Sequence, residues 1–337
     1  MKKHLKNSDF LCVGIILALM LTLILGLFAF RPQEEEQVTD AIKRENDSSI
    51  YNFLVLGRDR VAGLCDVIIL ASINTDNGNI SFMQIPRDTY FNSTEATYKK
   101  INGAYNSLGS AAAFRDALAS ALGIEIDYYL SLGLDTVSQM VDAVSGIEVN
   151  IPSDMDYSDP AQNLSIHLKA GKQTLNGESA VQFIRYRSGY VMGDLGRIDA
   201  QKMFLNAFAN KIAEIGNPFA LYNVFKLICT KGETNIKEKD LISIGLKCMK
   251  TKGGALSYMT APGEAIQSEK SGAWYYILSS SSMGELLDSH FEGKESFDKQ
   301  NKFVDKSTKQ FYDIYNKPCK VKIYTADEID NNEININ

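Results

Sequence analysis

The first pattern along the chain is an uninterrupted apolar run near its start. Residues 10–30 comprise 21 positions without a charged side chain. A helix rises about 1.5 Å per residue, so such a run matches the roughly 30 Å hydrocarbon core of a bilayer. The run is longer than the apolar part of a signal peptide, and no A-x-A cleavage site follows it. We therefore expect an uncleaved transmembrane anchor.

The charges on either side of this run predict its orientation. Three lysines precede it, whereas Arg31 and then the acidic residues 34–36 follow it. Because positive flanks stay in the cytoplasm, we expect residues 1–9 to be cytoplasmic. The protein would be a single-pass protein of the cell membrane, with its bulk outside. That bulk, residues 32–337, has 31 basic and 40 acidic residues and so carries a charge of −9.

After a polar linker over residues 31–49, the pattern changes to short apolar runs. Residues 50–56, 67–73 and 80–85 are rich in β-branched and large apolar residues, and a turn over 74–78 separates the last two. These features predict three strands. Their almost continuous apolarity is typical of a sheet that is covered on both faces.

Helical patterns follow these strands. Residues 110–122 are rich in alanine and stop at a glycine, Asp135 is placed to cap a helix that runs to Val144, and residues 199–215 carry an apolar helical stripe. Strands mixed with helices predict an α/β or mixed α+β fold. We expect a central mixed β-sheet flanked by helices, preceded by one N-terminal transmembrane helix.

The exported body divides into three parts by pattern. Residues 50–215 carry the strands, the helices and the charged loops described below. Residues 216–292 read as a helical extension of the same body, with short strands. Residues 293–337 form a charged tail that contains one strand-like run, 319–324, and that we expect to fray at its end.

Composition excludes several classes of protein. The net charge of −6 argues against a nucleic-acid binder, which would usually be basic. The five cysteines show no zinc-site spacing, and those in the exported body could be free thiols or form bridges. The chain has no Walker A, G-x-G-x-x-G or G-x-S-x-G motif, which disfavours a nucleotide kinase and a serine hydrolase.

Arginine and aspartate concentrate in three loops, at 57–66, 86–89 and 185–201. Loops at strand ends are where α/β proteins bind ligands. A guanidinium group makes two parallel hydrogen bonds to phosphate, and carboxylates hold the Mg²⁺ that bridges to it. Any one arginine, Arg58 for example, could be a solvated ion-pair residue, but together they favour phosphate chemistry. The arginines are Arg58, Arg60, Arg87, Arg185, Arg187 and Arg197.

Seven segments occur in a characteristic order. They are NFLVLGRDR (52–60), CDVIILASI (65–73), ISFMQIPRDTYF (80–91), KINGAYNSLG (100–109), DYYLSLGLDTVSQMVDAVSGIEVNIP (127–152), LKAGKQTLNGESAVQFIRYR (168–187) and GDLGRIDAQKMFLNAF (193–208). This set, which covers roughly residues 50–215, resembles the LytR-CpsA-Psr family of Gram-positive envelope proteins. A single anchor with a large outside domain agrees with the resemblance.

The resemblance implies a phosphotransferase that depends on Mg²⁺, with Mn²⁺ as a substitute. Such an enzyme takes a glycopolymer (teichoic acid, capsular or other wall polysaccharide) from an undecaprenyl-pyrophosphate carrier and joins it to peptidoglycan through a phosphodiester. The implied partners are the lipid-linked glycan, peptidoglycan and the membrane.

Functional positions follow from the same resemblance. Asp59 and Asp66 match the metal-binding carboxylates, and Asp194 matches the acidic position of the GDLGR stretch. The expected pyrophosphate-binding residues are Arg60, Arg87, Arg185, Arg187, Arg197 and Gln201. Two departures concern the identity of the substrate more than the reaction class. Leu64 and Cys65 stand where the family often has Arg-Ser, and Ala200 stands where it often has Arg.

Chemically, the metal and the arginines would stabilise charge on the leaving phosphate, with Arg87 as the catalytic arginine. The acceptor is a sugar hydroxyl, which needs a carboxylate to accept its proton. Asp88 and Asp194 are both candidates for this role.

Three alternatives remain at this point. Arg60 could compensate Asp59 and Asp66 without a metal. The protein could also be a membrane-anchored sensor that binds a lipid-pyrophosphate precursor without turnover, or a lipid pyrophosphatase in which water replaces the sugar. A sensor would not require the carboxylate pair, so the pair favours an enzyme.

Overall fold

The computed structural model describes residues 49–58, 64–92, 99–159, 164–190, 193–215, 218–237, 239–240, 243–244, 247 and 254–334. The predicted cytoplasmic segment, the anchor at 10–30 and nearly all of the linker lie outside these residues. Among the helices that are described, none is both long and apolar enough to cross a membrane.

The strands of the described chain are β1 Ile50–Arg58, β2 Cys65–Asn74, β3 Ile80–Gln84, β4 Tyr128–Gly133, β5 Ile147–Ile151, β6 Met155–Asp159, β7 Leu164–Leu168, β8 Gly171–Leu175, β9 Glu233–Thr234, β10 Leu256–Thr260, β11 Gly263–Gln267, β12 Trp274–Leu278 and β13 Ile323–Thr325. Seven of these strands form the central sheet, in the order β13-β10-β3-β2-β1-β4-β9. β1 is parallel to β4 and β3 to β10, whereas the other neighbours are antiparallel. The predicted mixed sheet and its first three strands are therefore confirmed.

The three helices predicted at 110–122, 135–144 and 199–215 are each matched by a helix of the structure, with differences at their starts. They are α1 Ala104–Leu108, α2 Ala111–Leu122, α3 Leu134–Ala143, α4 Gly177–Arg185, α5 Asp194–Glu214, α6 Pro218–Lys231, α7 Ser280–His290, α8 Lys309–Tyr315 and α9 Ala326–Asp330. The Ser110 side chain caps α2 by accepting a hydrogen bond from Ala113 N. The predicted cap Asp135 is wrong. β4 runs directly into α3, so Gly133 is the N-cap and Asp135 lies in the first turn.

Helices cover both faces of the sheet, as the continuous apolar strands predict. On one face Leu54, Leu56 and Ile68 pack against α2, α7 and α8. On the other face Tyr51 and Tyr258 pack against α3, α4, α5 and α6. Alternate residues of the same strands thus serve two cores, and each large apolar side chain buried there stabilises the fold by roughly 1.5–3 kcal/mol.

The charged tail belongs to the folded body over its described residues, 293–334, whereas the last three residues of the end that we expect to fray lie outside the described residues. β13 pairs with β10 at the sheet edge, and Phe303 and Tyr315 are buried against α2 and α7. The backbone of Gly123, at φ +73°, accepts hydrogen bonds from the N–H groups of residues 294 and 295. Apolar side chains dispersed among charges bury the segment although its average composition is polar. Of the strand-like run 319–324, only the end pairs as β13.

Residues 216–292 are likewise more than a helical extension. They supply α6 and α7, but also β9 and β10 of the central sheet and the hairpin of β11 and β12. Because β10 lies between β3 and β13, the sheet is complete only when this part of the chain has joined the strands of residues 50–133.

Candidate functional site

The sheet topology brings the charged loops to one edge. β1, β3, β4 and β10 run in the same direction, and β2 and β9 begin where those strands end. Arg58 therefore ends β1 opposite Cys65, which opens β2 and is followed by Asp66. Arg87 follows the neighbouring β3, and Glu233 opens β9. Residues that are far apart in sequence thus share one end of the sheet, which we call the charged edge.

Arg87 is the centre of this edge and lies in a tight turn. The turn is closed by hydrogen bonds from the backbone and the hydroxyl of Thr89 to the Pro86 carbonyl. Arg87 Nη1 donates to Asp66 Oδ1 at 2.9 Å, and Nε lies 3.3 Å from Asp194 Oδ1. Burial lowers the pKa of Arg87, but the charges of Asp194 and Asp66 outweigh it and raise the pKa overall. The guanidinium is therefore held charged and oriented.

The first turn of α5 supplies the next pair. Arg197 Nη2 lies 2.7 Å from Asp194 Oδ1, and the Arg197 side chain is only 9% exposed. Burial lowers the pKa of Arg197, against the opposing effect of Asp194. Asp194 thus lies between two guanidinium groups, which agrees with its predicted place in the site.

One turn further along α5, Gln201 lies beneath the arginines. Its amide oxygen accepts a hydrogen bond from Gln84, its amide nitrogen donates to the Ile184 carbonyl at 3.3 Å, and the residue is buried. Both hydrogen bonds are internal to the fold. Gln201 therefore supports the floor of the site instead of presenting its amide to solvent.

Arg185 and Arg187 lie at and just after the end of α4. Arg185 is half-buried and Arg187 is exposed, and within the described residues neither forms an ion pair. The charge of Arg187 is close enough to lower the pKa of Arg197 further. Arg187 thus adds positive charge beside Arg197 without an ion-pair partner in the described part of the chain.

Asp88 lies on the other side of Arg87. Lys100 Nζ donates to Asp88 Oδ1 at 2.7 Å, and the same ammonium lies 5.5 Å from the centre of the Tyr275 ring. The Asp88 carbonyl accepts a hydrogen bond from Tyr276 N at 2.9 Å, which fixes the backbone against β12. The Asp88 side chain is 29% exposed, Lys100 is its one ion-pair partner among the described residues, and its charge also helps to raise the pKa of Arg87.

The predicted metal site is described in part. Asp59 and Arg60 lie outside the described residues, so their predicted roles remain predictions. Asp66 is paired with Arg87, which takes the compensating role that the sequence suggested for Arg60. Nowhere in the described ranges do three or more His, Cys, Asp or Glu side chains form a metal-binding group.

The structure adds residues that the sequence analysis did not select. Tyr105 of α1 donates its hydroxyl to Glu233 Oε2 at 2.7 Å and accepts a hydrogen bond from Arg58 Nη1 at 3.0 Å. Glu233 carries no sequence signal, because it opens a strand of two residues. Tyr105 lies in one of the quoted segments, but only the topology places it beside Arg58.

Two of the cysteines that the structure describes, Cys65 and Cys319, are free thiols. Burial raises the pKa of the Cys65 thiol to about 12, although nearby Arg58 opposes that rise. Cys65 is therefore not a nucleophile of the charged edge.

Fold and site together define a class: an α/β protein whose strand ends gather guanidinium groups and carboxylates into a site suited to anionic ligands. The chain belongs to the LytR_cpsA_psr family, whose model matches residues 29–292. The resemblance found in the sequence is thereby confirmed.

Two of the relatives are named as teichoic acid transferases. The polyisoprenyl-teichoic acid–peptidoglycan teichoic acid transferase TagV of Bacillus subtilis is 28% identical over 249 residues, which cover 67% of this chain and 63% of TagV. This chain thus spans less than two thirds of TagV. The transferase TagU of Oceanobacillus iheyensis is 28% identical over 309 residues, which cover 82% of this chain and 92% of TagU.

Solved structures share the fold. The crystal structure of B. subtilis TagV matches with a TM-score of 0.61 at 24% identity, over 74% of this chain and 98% of that one. The structure of TagT bound to LIIa-WTA matches with a TM-score of 0.58 at 21% identity, over 73% of this chain and 92% of that one.

Proposed function

We propose that this chain is a transferase that moves a glycopolymer from an undecaprenyl-pyrophosphate carrier to peptidoglycan and forms a phosphodiester. The glycopolymer would be a teichoic acid, as in the names of TagV and TagU, or a capsular or other wall polysaccharide. The observation that carries the proposal is the cluster of Arg87, Arg197, Asp66 and Asp194, drawn from three separate parts of the chain to one edge of the sheet.

The cluster suits a pyrophosphate because its guanidinium groups are already oriented. Arg87 and Arg197 share Asp194, so their forks are fixed before a ligand binds and less side-chain entropy is lost on binding. Arg185 and Arg187 add positive charge on the same side. Together they would stabilise negative charge as it develops on the departing undecaprenyl phosphate.

In the reaction, the acceptor hydroxyl oxygen of peptidoglycan bonds to the phosphorus attached to the glycan. The bond from that phosphorus to the bridging oxygen breaks, and undecaprenyl phosphate leaves. A carboxylate takes the hydroxyl proton. Asp88 is better placed than Asp194 for this role, because it has a single lysine partner and Asp194 lies between two arginines.

The donor set around Asp66 fits a hard divalent cation. Asp66 Oδ1 accepts from Arg87, whereas Oδ2 has no partner among the described residues, and the side chain is about a third exposed. Mg²⁺ or Mn²⁺ would be held by Asp66 and Asp59 together with substrate phosphates. When bound, the ion would supply Lewis-acid stabilisation of phosphate charge. Arg87 and Arg197 would orient the donor from the other side.

The location of this activity is part of the proposal. The apolar run 10–30 and its charged flanks support a single-pass anchor, with the N-terminus inside and the charged edge outside the cell membrane. Both the lipid carrier and peptidoglycan are reached from that side.

The test uses the full chain in detergent micelles with a lipid-pyrophosphate glycan, Mg²⁺ and a peptidoglycan oligomer. Mass spectrometry should detect a peptidoglycan–glycan phosphodiester together with undecaprenyl phosphate. Arg87→Gln should abolish this product, whereas Arg115→Gln, at the opposite end of the sheet, should not. Free glycan phosphate alone would instead indicate a pyrophosphatase, and bound but unchanged substrate would indicate a sensor.

A further inference from the structure

Arg58 is an arginine of the charged edge that the mechanism above does not use. It is the last residue of β1, and the pairing of β1 with β2 shifts register between Gly57 and Arg58. Such an irregularity re-aims the side chain that follows it. The Arg58 side chain is one quarter exposed, and its Nε is buried without a hydrogen-bond partner among the described residues.

Two residues hold this guanidinium in one orientation. Tyr105 OH accepts from Arg58 Nη1 at 3.0 Å, and the guanidinium carbon lies 5.3 Å from the centre of the Tyr105 ring. Glu233 fixes Tyr105 in turn by accepting its hydroxyl proton at 2.7 Å. The hydrogen bonds therefore run in one direction, from Arg58 to Tyr105 to Glu233.

Glu233 compensates Arg58 only partly. Its Oε1 accepts from Ala111 N, the first residue of α2, and its Oε2 accepts from Tyr105. The nearest contact to Arg58 is 3.9 Å, well beyond the 2.9 Å between Arg87 and Asp66. Within the described residues, Tyr105 is also the one hydrogen-bond acceptor of the guanidinium. Arg58 therefore keeps donors and positive charge for another anion.

The strand that ends at Arg58 lies next but one to the strand that precedes Arg87. β3, β2 and β1 are successive neighbours, and strands lie about 4.8 Å apart. Arg87 and Arg58 thus follow strands roughly 10 Å apart, with Asp66 of β2 between them. Two arginine side chains can span that gap when a phosphate group lies between them.

We propose that Arg58 is a further substrate-binding residue, whose guanidinium binds a non-bridging phosphate oxygen of the donor opposite Arg87, and that Tyr105 and Glu233 are its positioning residues. The proposal rests on the proposed function and deepens it, because it adds a residue that binds the phosphates of the donor on the side opposite Arg87. Another arginine that contacts a tyrosine, Arg115, serves as the control for Arg58. Arg115 lies 5.7 Å from the Tyr129 ring centre and is paired with Asp116, but it sits away from the charged edge.

The test is calorimetric titration of the full chain in detergent with geranyl pyrophosphate. Arg58→Gln should weaken binding about tenfold or more, the usual effect of losing a charge-assisted hydrogen bond. Arg115→Gln should stay within about twofold of the wild type. Equal affinity of Arg58→Gln and the wild type would overturn the proposal.

Further variants separate binding from a structural role. Arg58→Lys keeps a charge beside Glu233 and so protects the fold if Arg58→Gln does not fold. It should still bind several-fold more weakly because it lacks the guanidinium fork, and unchanged affinity would refute the proposal. Tyr105→Phe should weaken binding in the wild type but not in the Arg58→Gln background. An equal effect in both backgrounds would show that Tyr105 does not act through Arg58.

The two proposals fail in different ways. If the wild type transfers the glycopolymer but Arg58→Gln binds geranyl pyrophosphate as tightly as the wild type does, only the proposed role of Arg58 is refuted. Arg58-dependent binding without any transfer or hydrolysis would remove the proposed transferase and leave the anion site in place.

Discussion

At the scale of single residues, the main feature of the charged edge is that two carboxylates share the guanidinium of Arg87. Its guanidinium contacts Asp66 from β2 and Asp194 from α5, so one side chain joins two elements. An incoming phosphate must either displace a carboxylate or add to the cluster. Binding will therefore depend on the geometry of the guanidinium as much as on its charge.

We expect Arg87→Lys to weaken the binding of geranyl pyrophosphate by about tenfold or more. Lysine keeps the charge but cannot contact two acceptors in a plane, and a charge-assisted hydrogen bond contributes about 1.5–3 kcal/mol. Titration calorimetry of the full chain measures the change, with Arg115→Lys as the matched control. Unchanged affinity of Arg87→Lys would contradict the assignment of this residue to the phosphates.

We expect Asp66→Asn to abolish transfer while the chain still folds. Asparagine can still accept the Arg87 hydrogen bond through Oδ1, but it is a poorer ligand for a hard cation. Circular dichroism measures folding and mass spectrometry measures transfer. Treatment of the wild type with EDTA should have the same effect on transfer, and added Mg²⁺ should restore it. Full activity in EDTA would show that Asp66 serves only as the partner of Arg87.

Much of the site could be predicted from sequence at this scale, because the residue types arginine and aspartate by themselves indicate binding of phosphate and of metal ions. Arg87, Arg197, Asp66 and Asp194 do lie together. Partnerships across the sheet were not predictable. Glu233 is one of many acidic residues in the chain, and only strand order brings it to Tyr105. For the same reason, the sequence suggested Arg60 as one alternative partner for Asp59 and Asp66, but it did not predict the pairing of Asp66 with Arg87.

At the scale of elements, strands with two buried faces were predictable and short ones were not. β1, β2 and β3 have continuous apolar runs, while β9 has two residues and hence no periodicity. The tail shows the same limit. Its loop before α8 is organised by a buried carboxylate, Asp298, which accepts from Lys302 N, Phe303 N and Tyr315 OH.

Burial raises the pKa of Asp298, although these hydrogen bonds oppose the rise. The folded state therefore binds a proton more readily than the unfolded state, and the charged carboxylate costs stability above its folded pKa. Tyr315→Phe removes a donor to the charged form. We expect it to lower the free energy of unfolding by about 1–3 kcal/mol at neutral pH, and by less as the pH falls through the raised pKa.

Chemical denaturation at neutral and mildly acidic pH measures this difference. Tyr312→Phe is the matched control, because Tyr312 lies on the same helix and is exposed. Subtracting wild type from variant at each pH removes the effect of other carboxylates. A loss that is the same at both pH values would show that the Tyr315 hydroxyl does not act on the charged form of Asp298.

At the scale of the whole molecule, the central sheet joins segments from near both ends of the described chain. The central sheet takes strands from Ile50 at one end and Thr325 at the other, so the part before residue 216 lacks β9, β10 and β13. The charged edge gathers arginines within a part of the chain, residues 32–337, that carries a charge of −9. Such a local positive site attracts an anionic ligand, whereas the body as a whole repels nucleic acid and anionic surfaces.

That arrangement makes a prediction about topology. The apolar run 10–30, the lysines before it and the acidic residues after it predict that the body lies outside the cell membrane. Protease added to intact protoplasts should therefore degrade residues 50–337, whereas a tag placed before Lys2 should survive until detergent is added. A cytoplasmic enzyme of the same cells controls for lysis. Survival of the body in intact protoplasts would place the charged edge on the side opposite to peptidoglycan and would remove the acceptor from the proposed reaction.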